Sequence, residues 1–224
     1  MKRILTLLFS FLSYLFVYGQ NLKFVQFNNG ENLVCISYIT DQKVIIKIST
    51  DGQILEWGYE QEPGRYYNMP GMLKPYMGRV EYYTNQTDSI LNGKVRSIGV
   101  TNITYYGSLQ KDEFAGKVKM LGRNVFTYFG EFDNELLRGK IKFAGNKGFN
   151  YYNSFENEAY SGKLKSVGNT NITYYSTFDD RALRGKLKAI GSFTLGWYNS
   201  MERYPGTLKD GIITRVIDGV TYIL

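Results

Sequence analysis

The sequence predicts an all-β protein: an antiparallel meander with two strands per 23-residue unit, curled or roll-like, with β caps at both ends. Three observations point there. Glycines recur at Gly93, Gly116, Gly139, Gly162 and Gly185, one every 23 residues and each followed by Lys. A fixed period of this kind marks units that bury their apolar faces against neighbours. Alternating or β-branched runs are separated by hairpin dipeptides such as Asp51-Gly52 and Asp218-Gly219, where the turn needs positive φ. Beyond the first residues no helical period is present.

The elements follow in order. Residues 1–19 combine basic Lys2 and Arg3 with an apolar run from Ile4 to Val17 and small Gly19. This is the pattern of a signal peptide cleaved near Gly19/Gln20, too short for a stable membrane span. The mature chain is therefore expected to be exported, with no transmembrane segment, to the periplasm, the cell surface or the medium. Residues 20–57 read as an N-terminal meander of about four strands. Residues 58–92 hold an aromatic and Pro-rich connection, in which Pro63, Pro70 and Pro75 exclude a central strand. A degenerate repeat follows, with Tyr82-Tyr83 one period before Tyr105-Tyr106. Residues 93–209 carry the five clear units, and residues 210–224 a closing hairpin.

Composition removes several function classes. The chain has no histidine and a single cysteine, Cys35. Serine and cysteine triads, the usual zinc sites and intrachain disulfides are therefore absent, and no metal or cofactor is expected. The positive charge belongs to the repeat: residues 93–209 hold 18 Lys and Arg against 10 Asp and Glu.

With the opening glycine as position 1, positions 3, 11, 13 and 17 are apolar and are expected to form the core face by strand alternation. Positions 2 and 4 carry Lys94 and Arg96, Lys117 and Lys119, Lys140 and Lys142, Lys163 and Lys165, Lys186 and Lys188. Position 14 carries Tyr106, Phe129, Tyr152, Tyr175 and Tyr198. By the same alternation these belong to the opposite face. There the lysines and tyrosines could hold an anionic glycan or lipid headgroup through charge and ring stacking. Equally, they could be the solvated face of an antiparallel sheet, with Lys stems lying over Tyr rings. The corner carboxylates (Asp112-Glu113, Asp133, Glu135, Glu156, Glu158, Asp179-Asp180) recur in every unit, whereas a catalytic pair of the glycosidase kind occurs once. A unique site, if the chain has one, belongs in the Trp57–Tyr83 stretch with Tyr59, Arg65, Tyr66 and Tyr67.

Residues Tyr128–Asn134 read YFGEFDN, with Gly139 after them. This resembles the MORN repeat, a β-hairpin unit of pattern Y-x-G-x-F-x-N-G followed by G-x-G, with Tyr128, Gly130, Phe132, Asn134 and Gly139 at matching positions. Ile141 and its equivalents replace the second glycine of G-x-G. The resemblance implies an elongated, curling antiparallel sheet used for protein or lipid contact. Taken together, the sequence points to an exported non-catalytic scaffold or binding module, not an enzyme. Its expected partners are a protein or an anionic glycan or lipid at the cell envelope, and not nucleic acid. A carboxylate-based glycoside hydrolase is the remaining alternative.

Overall fold

The computed structural model describes residues 21–61, 70–86, 88–209, 211 and 213–224. The expected signal segment lies outside the described residues, as do Glu62, Pro63, Arg65, Tyr66 and Tyr67. The chain is all-β, in two sheets that do not close into a barrel. No helix of the described residues is long and apolar enough to cross a membrane.

Strands β1 (Asn21–Asn28), β2 (Asn32–Ile39), β3 (Val44–Ser49) and β4 (Ile54–Glu60) form the entry meander, followed by a short edge strand β5 (Leu73–Pro75). The hairpin turns fall where the sequence announces them, although at Asp51-Gly52 only the glycine stands at positive φ, 84°. Asn29 and Gly30 stand at φ 48° and 66°, and Asp218 and Gly219 at 50° and 76°. Pro75 ends an edge strand, where its missing N–H costs nothing. The repeat sheet begins at β6 (Val80–Tyr82) in the degenerate unit. It continues as β7 (Val95–Ile98), β8 (Thr101–Tyr105), β9 (Val118–Leu121), β10 (Asn124–Tyr128), β11 (Ile141–Ala144), β12 (Lys147–Tyr151), β13 (Leu164–Val167), β14 (Thr170–Tyr174), β15 (Leu187–Ile190) and β16 (Phe193–Thr194). These eleven strands run in chain order, each paired with the next.

The two flanking segments, expected as separate caps, meet in one seven-stranded sheet. The closing hairpin, β17 (Thr214–Ile217) and β18 (Val220–Ile223), adds to the open edge of β1. The β18–β1 pair is parallel, with Phe24 opposite Thr221, where an all-antiparallel sheet was expected. Covering the free N–H and C=O groups of β1 removes an aggregation-prone edge, whichever way the added strand runs. Two single-turn 3-10 helices, Ser89–Leu91 and Glu135–Leu137, also depart from the expected helix-free chain. Each tightens a long corner in which Asp88 or Asn134 accepts an N–H two residues on.

The seven-stranded sheet lies on the apolar face of the repeat sheet, so the repeat buries that face without rolling up on itself. Position 3 (Val118, Ile141, Leu164), position 11 (Ile103, Phe126, Phe149, Ile172) and position 13 (Tyr128, Tyr151, Tyr174) pack with Val25, Ile36, Tyr38, Ile46 and Ile48 in one core. Tyr38 crosses the interface, donating to the Ala144 carbonyl and meeting the Phe126 ring edge-on at 5.4 Å. Position 3 N–H groups reach the turns of the covering sheet: Val118 to Gly52 O, Ile141 to Thr50 O and Leu187 to Gly30 O, at 2.7–2.9 Å. On the far side of the covering sheet Phe24, Ile45 and Ile223 form a smaller cluster with Ile39 and Leu73.

Position 17 does not join the core. Leu109, Phe132, Phe155, Phe178 and Met201 are 92–98% exposed, which corrects the alternation argument. The strand ends at position 13, and position 17 sits in a turn to which the period of two no longer applies.

Candidate functional site

The lysine and tyrosine columns do not share one face. In each unit position 4 is the extra residue of a β-bulge: Thr127 pairs with Phe143 and Tyr128 with Ile141, leaving Lys142 over. The same bulge falls on Arg96, Lys119, Lys165 and Lys188. The bulge residue leaves the regular ladder, and positions 2 and 4 each lie over a different ring of one layer. Lys117 lies over Tyr128 at 5.3 Å, Tyr128 meets Tyr106 edge-on at 6.1 Å, and Lys119 lies over Tyr106 at 5.7 Å. Lys140, Tyr151, Phe129 and Lys142 repeat this arrangement, as do Lys163, Tyr174, Tyr152 and Lys165.

The position 2 ammonium groups are engaged. Lys117, Lys140 and Lys163 donate to the opening-glycine carbonyls of the next unit (Gly139, Gly162 and Gly185) at 2.6–2.7 Å. Lys94 donates to Gln53, and Lys186, buried, reaches Asn29 O and pairs with Glu31 at 2.8 Å. Burial holds Lys94, Lys117, Lys140 and Lys163 below the usual lysine pKa. At position 4, Lys142 pairs with Asp133 and Lys165 with Glu156. Lys188 lies over Tyr175, while Lys209, the position 4 residue of the shortened last unit, lies over Tyr198. The tyrosine hydroxyls are also spent: Tyr106, Tyr152 and Tyr175 donate to the position 11 carbonyls of the following unit. Lys117, Lys140 and Lys163 thus act as cross-unit clamps, each covering a ring and capping a carbonyl.

The corner carboxylates have a different arrangement and lead to the exposed row. In each unit positions 15–18 make a β-turn, with the position 18 N–H bonded to the position 15 carbonyl, as in Asp133 to Gly130 and Asp179 to Ser176. The position 18 carboxylate closes the turn from outside by accepting the position 15 N–H: Asp133 from Gly130, Glu156 from Asn153, Asp179 from Ser176 and Glu202 from Asn199, at 2.6–2.8 Å. Asn153, Ser176 and Asn199 side chains accept the position 17 N–H itself. Position 19 links successive turns. Asn157 accepts the N–H of Ala159 in its own corner and of Thr177 in the next, and Asp180 does the same for Ala182 and Ser200. Where position 19 is Lys111, a Lys111–Glu131 ion pair at 2.8 Å takes over that link. These hydrogen bonds hold Glu156, Asp179, Asp180 and Glu202 protonated only below their ordinary carboxylate range: for Asp179, Asp180 and Glu202 the leading cause is the bond to Ser176, Ser200 or Lys209, and for Glu156 the bonds to Lys165 and Asn153 outweigh burial.

The result is a ridge: five apolar tips, one per unit, carried on turns hydrogen-bonded to each other along the sheet. Sequence reasoning missed it by counting position 17 as core. The signal available was its surroundings, Asn-Ser-Phe-Glu-Asn or Ser-Thr-Phe-Asp-Asp, which is turn chemistry and places the apolar residue at a corner. All ten Asp and Glu of residues 93–209 fall in these corners (107–113, 130–136, 153–159, 176–182 and 199–205), with only Lys111, Arg181 and Arg203 as basic residues.

A separate cleft of about 280 Å³ opens between the sheets at the first repeat, lined by Gln53, Ile54, Trp57, Tyr82, Lys94 and Tyr105 among others. Of the stretch in which the sequence placed a unique site, Trp57 and Tyr82 line this cleft and Tyr59 does not, while Arg65, Tyr66 and Tyr67 fall outside the described residues. Comparison with protein-family models, with curated proteins and with solved structures found no match.

Proposed function

We propose that this chain is an exported, non-catalytic β-repeat protein that serves as a binding module or scaffold, with the ridge of position 17 side chains as its contact surface. The observation that carries this reading is the exposure of Leu109, Phe132, Phe155, Phe178 and Met201, each above nine-tenths, where no other aromatic ring of these units exceeds 54%. An aligned set of exposed apolar groups on a soluble fold marks an interaction surface. The signal-like start and the MORN-like pattern support the same class. Part of the acid–base set supports it too: Asp133, Glu156 and Asp179 recur at one position as turn-closing acceptors, which accounts for their presence without catalysis. The alternative surface, the Lys and Tyr columns, is less favoured because most of its polar groups already have partners: the position 2 ammonium groups, Lys142, Lys165 and the hydroxyls of Tyr106, Tyr152 and Tyr175.

The test compares the mature chain with the Phe132→Ser/Phe155→Ser/Phe178→Ser variant on a panel of peptides, lipid vesicles and oligosaccharides, with melting temperature as the control for folding. Binding lost by the variant at unchanged melting temperature supports the reading. Binding retained in full, or turnover of a panel member, overturns it.

A further inference from the structure

We infer that the ridge takes a cationic amphipathic α-helical segment of a protein partner. The inference rests on the reading of the ridge as the contact surface and adds the chemistry of what it contacts.

The first argument is the identity of the tips. Phe132, Phe155 and Phe178 are consecutive, with Leu109 and Met201 at the two ends. Tyr and Trp, common elsewhere in the unit, do not occur there. A sugar-binding row needs flat rings and hydrogen-bonding edges at each place, and Leu and Met supply neither. A surface that accepts Phe, Leu and Met in equivalent places is selecting apolar volume, which is what protein or lipid contact requires.

Charge separates those two. The corner segments that carry the tips hold all ten carboxylates of the array and three basic residues, with Arg184 of the neighbouring sequence donating to the Asp179 carbonyl. Several of the carboxylates are paired with lysines, but Asp112, Glu135 and Glu158 are exposed and make no ion pair among the described residues. The edge the ridge presents is thus apolar with an acidic border. An anionic bilayer would be repelled by that border, whereas a cationic partner gains from it in both affinity and encounter rate.

Spacing supplies the third argument. Successive tips are two strands apart, roughly 9.5 Å, and the bonds from one corner to the next keep them at strand spacing. Residues seven apart in an α-helix lie about 10.5 Å apart on nearly the same face. A helix laid along the ridge therefore meets one tip every two turns, with a mismatch of about 1 Å per unit that side chains absorb. An extended strand presents same-face side chains about 6.8 Å apart and falls out of step at the second tip. The tips would enter between apolar residues of the helix while its Lys or Arg flanks meet the corner carboxylates, a helix-on-surface mode of recognition read as spaced apolar anchors.

The experiment titrates the mature chain with a synthetic helix of about four heptads, carrying Leu on one face and Lys elsewhere. Controls are the same composition scrambled, the same helix with Glu for Lys, and vesicles of zwitterionic and of anionic lipid. The Leu/Lys helix is expected to bind, and the Phe132→Ser/Phe155→Ser/Phe178→Ser variant to bind it on the order of a hundredfold more weakly. The Asp112→Asn/Glu135→Gln/Glu158→Gln variant should weaken binding and flatten its salt dependence, with the melting temperature of both variants near that of the parent. If the Glu helix or the scrambled peptide binds as well as the Leu/Lys helix, the inference is wrong. It is also wrong if only vesicles bind in a ridge-dependent way, although the ridge then stands as a contact surface. If no probe distinguishes parent from the triple Ser variant, inference and contact surface fall together.

Discussion

Phe126 and Phe132 are six residues apart in the same unit, and strand alternation assigns both to the core. The structure separates them: Phe126 has no exposed surface and Phe132 is 95% exposed. Replacing Phe126 by Ala removes a ring wedged between the two sheets, together with its edge-on contact to Tyr38 at 5.4 Å. The lost transfer energy and the residual cavity should cost about 3–5 kcal/mol. For a chain of this size, at roughly 2–4 °C per kcal/mol, the melting temperature should fall by something like 6–20 °C. Phe132→Ala removes only an exposed ring and one contact with Lys111. It should stay within about 0.5 kcal/mol of the parent, a shift of about 2 °C or less. Thermal unfolding of the two variants and the parent, followed by circular dichroism, decides the matter. Equal losses at both positions would refute the division of the unit into an inward face and an outward ridge.

Alkaline pH and one turn glycine give further tests. Burial raises the hydroxyl pKa of Tyr38, Tyr105, Tyr128, Tyr151 and Tyr174 above the ordinary value. Below about pH 10 the unfolded chain keeps these protons too; above it the unfolded chain releases them while the fold retains them, so stability is lost as pH rises. The lowered Lys94, Lys117, Lys140 and Lys163 act with the opposite sign, relieving a burial cost as pH approaches the ordinary lysine value. The denaturation midpoint should therefore hold or rise slightly up to about pH 10 and drop beyond it; a flat profile through that range would contradict the buried phenol layer. Gly52 stands at φ 84°, and a Cβ there would lie 2.2 Å from the Tyr128 hydroxyl. Gly52→Ala should cost about 2–4 kcal/mol from backbone strain plus displacement of a buried ring, measured by urea denaturation, and a neutral result would mean that the covering turn does not seat on Tyr128.

The sequence made the strands, the hairpin turns and the two-strand unit legible because each depends on local chemistry. Asp-Gly and Asn-Gly announce their turns, Pro75 marks an edge, and the period from Gly93 to Gly185 places every later strand. Two things escaped. One was the covering sheet: nothing local says that β18 must find β1, because that pairing joins residues some two hundred apart and is selected by the shared apolar face. The other was the bulge at position 4. A Lys in a bulge and a Lys in a regular strand read alike, so the alternation argument merged Lys117 with Lys119, which lie over different rings of the Tyr128–Tyr106 pair. The ridge was misassigned for a related reason. An apolar residue normally signals burial, and only the surrounding Asn, Ser, Asp and Glu tell that position 17 belongs to a turn.

Thiol accessibility tests the central claim most directly, because the native chain supplies its own reference. Cys35, the single cysteine, is buried at 2% exposure, and burial pushes its thiol pKa up. In a Phe155→Cys variant the new thiol stands at the apex of a ridge turn. A small aromatic disulfide reagent under native conditions should modify one thiol at the rate of an unstructured peptide, and the second only on unfolding. If neither thiol reacts until the protein unfolds, position 17 is packed, and both the ridge and the contact surface assigned to it are wrong.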